Sequence, residues 1–74
     1  MRVVKDRIGL AAGEIWHCIE KDGGSASLAR VREKTGIDSD MAYLALGWLA
    51  REEKVTVEKR GRSVRIVLVG AHVP

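Results

Sequence analysis

Lys54-Val55-Thr56-Val57-Glu58-Lys59-Arg60-Gly61-Arg62-Ser63-Val64-Arg65-Ile66-Val67-Leu68-Val69 is the stretch that decides how this chain folds. Val55 and Val57 alternate with Thr56 and Glu58, and Val64, Ile66 and Leu68 alternate with Arg65, Val67 and Val69. A period of two puts successive side chains on opposite faces, so the spacing predicts strands over about 55–58 and 64–69. Between them, residues 59–63 read as a turn, with Gly61 the residue suited to a positive φ. The result is a β-hairpin whose tip carries Lys59, Arg60 and Arg62.

Everything before Lys54 follows the other period. Ile8, Ala12, Ile15, Trp16 and Ile19 recur three and four residues apart, which predicts a helix over about 6–21 with those side chains on one face. Asp6 is suited to cap its start, and Gly23 to end it in the left-handed conformation. Ser25 or Ser27 caps a second helix ending at about 35, with Leu28, Val31 and Thr35 inward; Gly36 stops it. Ile37 is expected as a buried plug. Asp38 or Ser39 then caps a third helix over about 38–53, whose core stripe is read as Ile37, Met41, Leu44, Ala45, Trp48 and Leu49. Trp16 and Trp48 are taken as core anchors.

Three helices followed by a two-stranded hairpin make a mainly α, α+β arrangement, and a helix, a tight glycine turn and a helix form a helix-turn-helix unit. With the hairpin as wing, the expected fold is a winged helix-turn-helix. The 74 residues fit one domain, 1–74, with a loose tail over 70–74. Ile8-Gly9, Ala12-Gly13 followed by Ile15-Trp16, and Ala45-Leu46-Gly47-Trp48-Leu49-Ala50-Arg51-Glu52 resemble the hallmark stretches of a family of small stand-alone winged-helix proteins of bacteria and archaea. The broader class is populated largely by transcription regulators, so the resemblance implies a DNA-binding role.

The residues themselves set two readings against each other. Up to Ala50, seven Lys and Arg cancel seven Asp and Glu; from Arg51 on, six basic residues face three acids, so the net charge of +3 sits in the last third of the chain. Lys59, Arg60, Arg62 and Arg65 are therefore candidates to grip the phosphates of double-stranded DNA, with Arg30, Arg32 and Lys34 of the second helix as further candidates. The same residues equally suit a solvated strand edge kept soluble by charge. Reading bases in the major groove calls for Arg, Lys, Asn or Gln on the third helix. Off the core stripe that helix offers Asp38, Ser39, Asp40, Ala42, Tyr43, Leu46, Gly47 and Ala50 instead. Tyr43, Gly47 and Ala50 make a small-residue face suited to a partner, most simply a second copy in a homodimer, unless the Val3-Val4 segment covers it. Gly9 and Gly13 add a smooth strip on the first helix for close approach of another backbone.

Catalytic chemistry finds no support. His17 and Cys18 are neighbours that point about 100° apart on a helix, and no spacing of Cys, His and carboxylates suits a metal. Asp38 and Asp40 are explained by capping, and Glu52 and Glu53 by a solvated helix end. No glycine-rich phosphate loop or nucleophile motif occurs. The expectation is a protein that is not an enzyme, with no cofactor, no metal and no evident small-molecule ligand. With 46% hydrophobic and 31% charged residues, a single cysteine and no apolar run of membrane-spanning length, a soluble, reduced, cytoplasmic setting is expected.

Overall fold

The computed structural model describes residues 4–70. Three helices, α1 (Val4–Lys21), α2 (Leu28–Thr35) and α3 (Ser39–Arg51), precede the hairpin β2 (Val55–Arg60) and β3 (Ser63–Leu68). The α+β order read from the sequence stands, with one correction. A short strand β1 (Ser25–Ser27) comes between α1 and α2, so the two-stranded wing β2-β3 belongs to a three-stranded antiparallel sheet in the order β1-β3-β2. Ser25 lies opposite Val67, Ala26 opposite Ile66 and Ser27 opposite Arg65. Three residues are too few to display a period, and this strand owes its place to the chain reversal ahead of it. There Gly24 N donates to Ile19 O (2.9 Å), with Gly23 at φ +91°, and Gly24 O accepts from Leu68 N (2.8 Å). The turn that ends α1 thus delivers the chain to the edge of β3.

Local chemistry fixes the helix ends. α1 is already helical at Val4, so Asp6 is not its cap. It sits in the first turn, where a carboxylate favours the positive end of the helix. Ser27 is both the last residue of β1 and the cap of α2, its hydroxyl accepting from Arg30 N (3.2 Å). Gly36, left-handed at φ +74°, closes α2 by donating to Arg32 O. Asp38 caps α3, with Oδ1 accepting from Met41 N at 2.8 Å. β2 runs two residues longer than expected and β3 is shifted one residue earlier, and their connection is only Gly61-Arg62, because Arg60 pairs with Ser63. Gly61 has φ +57° and Arg62 does not have a positive φ, the signs of a type II′ turn.

The core lies where α1 and α3 meet α2 and the inner face of the sheet. Ile15, Ile19, Val31 and Ile66 are fully enclosed, with Ala11, Ala12, Ala26, Leu28, Ala42, Ala45, Leu46, Leu49, Val55 and Leu68 around them. This corrects the stripe read for α3. Its buried side chains are Ala42, Ala45, Leu46 and Leu49, while Leu44 is 49% exposed. The helix is rotated toward its small residues because two alanines let α3 approach its neighbours closely. An apolar sequence nearly all round gives no contrast from which the rotation can be read. Trp16, Ile37, Met41 and Trp48 are only partly buried, packed against the core's margin, and Ile8 is partly buried as well. The two tryptophans are margins rather than anchors. Apart from Gly70, the tail over 70–74 lies outside the described residues, as does Val3.

Candidate nucleic-acid interface

The antiparallel register divides the wing's cations between two faces. Residues directly opposite in such a ladder share a face. Val55 with Leu68, Val57 with Ile66 and Lys59 with Val64 therefore turn toward the helices, whereas Thr56 with Val67, Glu58 with Arg65 and Arg60 with Ser63 turn away. Lys59 is on the helix side, Arg60 and Arg65 are on the far side, and Arg62 is in the turn itself. Arg65 is engaged further, its Nε donating to Ser25 Oγ at 2.9 Å, with the Glu58 carboxylate on the strand opposite. Arg60 and Arg65 share a shallow depression of 520 Å³ with Ser25, Ser27, Ser63 and Glu58 on that far face.

α2 divides its cations in the same way. Arg30 and Lys34 are one turn apart on one flank, Arg32 is on the opposite flank, and Val31 faces the core between them. The first flank is occupied by Asp22 from the end of α1. Its Oδ2 accepts from Arg30 Nε (2.8 Å) and its Oδ1 from Lys34 Nζ (3.0 Å). The Arg30 hydrogen bond first, and the Lys34 one next, hold the Asp22 carboxyl below its ordinary value. The same bond raises the Arg30 guanidinium above its own. The sequence reading missed Asp22; a lone acid ahead of two glycines, eight and twelve residues before two cations, is the signal it carried.

What the fold does bring together is Arg32 and Arg62. They line one groove of 350 Å³ with Tyr43 of α3, Ser27, Leu28 and Ala29 at the start of α2, and Ser63 and Val64 of β3. Lys59 lies across from Val64 on the same strand face. Arg32 also reaches the end of its own helix, Nε donating to Ile37 O at 3.4 Å. The groove thus offers two guanidiniums, a phenol and, at the N-terminus of α2, the Ser27 hydroxyl, a set suited to phosphate oxygens. Beyond Tyr43 (55% exposed), the outer face of α3 presents Asp40, Leu44, Gly47 and Ala50 to solvent. No atom of another element approaches the Cβ direction of Gly47, Gly9 or Gly13 within 4 Å. Tyr43, Gly47 and Ala50 are therefore left open by the described part of the chain. Elsewhere, exposed His17 stacks edge-on to Trp16 (5.4 Å) and lies 3.7 Å from Glu20, while Cys18 packs against the core. Among the described residues no three His, Cys, Asp or Glu side chains cluster as metal ligands, and no helix is long and apolar enough to cross a membrane.

Three helices, a helix-turn-helix and a wing that closes a three-stranded sheet define a winged-helix domain. The chain belongs to the family described as "Winged helix-turn-helix domain (DUF2582)", which it matches over residues 3–68. It is 43% identical over 56 residues to the uncharacterized protein MJ1608 of Methanocaldococcus jannaschii, covering 72% of this chain and 77% of that one. The solution NMR structure of protein BT2368 from Bacteroides thetaiotaomicron is similar in fold, with a TM-score of 0.78 and 32% identity over 92% of this chain and 82% of that one.

Proposed function

We propose that this chain is a non-catalytic, regulator-like module that holds the phosphate backbone of double-stranded DNA in the groove between its wing and α3. The observation that carries this reading is the meeting of Arg32 from α2 and Arg62 from the wing turn beside Tyr43. Phosphate contacts position a protein on the duplex, and base-edge contacts give it sequence preference. Between Met41 and Ala50 the exposed face of α3 offers one phenol to base edges, so binding is expected to be nearly indifferent to sequence. A reducing, cytoplasmic setting suits this role and the free thiol of Cys18. Fluorescence anisotropy with unrelated duplexes tests it. Three phosphates neutralised by Arg32, Arg62 and Lys59 give a log–log salt slope of about −2.7. A strong preference for one duplex, or unchanged affinity after Arg32→Ser with Arg62→Ser, refutes it.

A second reading is supported by the apolar exposure of Tyr43 and Leu44 beside Gly47 and Ala50. In it, this face of α3 packs against another protein, most simply a second copy, with the open Gly9–Gly13 strip of α1 as a further candidate surface. Gly47→Arg then abolishes the association, and sedimentation equilibrium reads the result. Retention of the complex in that variant excludes α3 as the interface.

A further inference from the structure

The sheet ends on one side in a strand that has only one neighbour. β1-β3-β2 is the order, so β3 is central, and among the described residues nothing pairs with the outer side of β2. The phase of that edge follows from one bond. Val69 N donates to Lys54 O at 2.9 Å, which makes Lys54 and Val69 a hydrogen-bonded pair. Alternation then directs the backbone groups of Thr56, Glu58 and Arg60 to β3. The N–H and C=O groups of Val55, Val57 and Lys59 point the other way, out of the sheet. From Thr56 to Arg60 every side chain of β2 is exposed, Val57 at 42% despite facing the helix side. Proteins usually blunt such an edge with proline, a bulge or charge. Here β2 has neither proline nor bulge and its regular register with β3 is unbroken; the charges flanking Thr56 on the outer face, Lys54 and Glu58, are of opposite sign.

We propose that β2 is a pairing edge, and that a second copy of this chain adds its own β2 antiparallel to it about a two-fold axis at Thr56. One continuous sheet would then run through both protomers. A two-fold axis perpendicular to the sheet keeps inward residues opposite inward ones, so the axis must pass through a residue position, and charge selects which. At Thr56, Glu58 faces the partner's Lys54 and Lys54 faces the partner's Glu58, both on the outer face where Lys54 and Glu58 are exposed. These are non-hydrogen-bonded sites, where opposite side chains lie closest. Val57 then faces the partner's Val55, and those two pairs use the outward backbone groups in four N–H to O=C bonds. Moved to Val57, the axis sets Lys54 against the partner's Arg60 twice. Moved to Glu58, it sets that carboxylate against its own copy. The Thr56 register also lays the basic end of each β2 beside the acidic Glu52–Glu53 turn of the other. Helices of both protomers stay on one side of the joint sheet, and the wing tips lie at its opposite ends, so each groove of Arg32, Tyr43 and Arg62 remains open.

Sedimentation velocity over a concentration series, on the whole chain and without nucleic acid, tests this independently of DNA binding. The expected result is a reversible monomer–dimer equilibrium. Val57→Pro removes an N–H that the intramolecular ladder does not use, and is expected to leave monomers with an unchanged far-UV circular dichroism spectrum. Lys54→Glu or Glu58→Lys alone is expected to weaken the dimer roughly ten-fold, through two symmetric contacts turned repulsive, and the two together to restore it. This reciprocal swap decides the question even where Val57→Pro disturbs folding. A chain that stays monomeric throughout overturns the proposal. So does a dimer indifferent to both charge reversals, or one lost on Gly47→Arg instead.

Discussion

The two flanks of α2 carry the same kind of charge and have different uses. On one, Arg30 and Lys34 are drawn onto the Asp22 carboxylate, which ties the end of α1 to α2. On the other, Arg32 faces a groove shared with Arg62 and Tyr43, where no carboxylate is among the lining residues. Seven cations looked interchangeable when counted along the chain. The difference lies in one acid placed by the turn that ends α1, and it shows that a basic patch is defined by what neutralises it.

The substitution with the largest expected effect lies between the two flanks, at the core face that holds both in place. Val31 is fully enclosed between them, and Val31→Ala should cost about 2 kcal/mol, lowering Tm by roughly 8–16 °C in a domain this small. Differential scanning calorimetry measures it; a loss below half that size means that α2 is not held by its core face. Next comes the groove. Arg32→Ser with Arg62→Ser should reduce duplex affinity roughly ten-fold at low salt and flatten the slope to about −0.9. Smaller is the effect of Asp22→Asn, which should lower Tm at neutral pH. Because Asp22's carboxyl is held below 3.8 in the folded chain, its contribution is present above that value and is lost as pH falls through the depressed one. The Tm difference between Asp22→Asn and the unaltered chain should therefore shrink in acid below about pH 3.8; a difference constant down to pH 2 removes Asp22 from the account. Smallest is Arg30→Ser with Lys34→Ser, which should change duplex affinity by less than about two-fold, since both side chains already serve Asp22. A drop as large as that of the Arg32 and Arg62 pair would make the two flanks equivalent.

The fold was legible wherever the periodicity was sharp. Ile15 and Ile19 on α1, Leu28 and Val31 on α2, and Ile66 and Leu68 on β3 are buried as their spacing implies. Where the sequence had no contrast, the reading slipped. Apolar residues surround α3, so spacing alone points Leu44 inward and Ala42 and Leu46 outward, whereas the packing of small side chains decides otherwise. β1 was invisible because Ser25-Ala26-Ser27 gains its strand character from Val67, Ile66 and Arg65, about forty residues away. The candidate groove was half legible. Arg32 and Arg62 were both singled out, yet nothing local says that one joins Tyr43 while Arg60, two residues from Arg62, turns to the opposite face. That information resides in the two-residue turn, which sets the register.

The strand order has a consequence for the making of the protein. β3 is the central strand, and both of its neighbours precede it in the chain. Synthesis delivers the amino-terminal part first, so β1 emerges from the ribosome with nothing to pair against and must wait for Leu68 to clear the exit tunnel. The helices can begin to associate earlier, since their bonding is local, but the sheet side of their core stays uncovered until then. The nascent chain therefore passes through a stage in which Ile15, Ile19 and Val31 lack the lid that Ile66 and Leu68 provide. Closure of the domain is expected to follow emergence of β3 as a single late event, and a truncation ending before Ser63 should remain molten however long it is given.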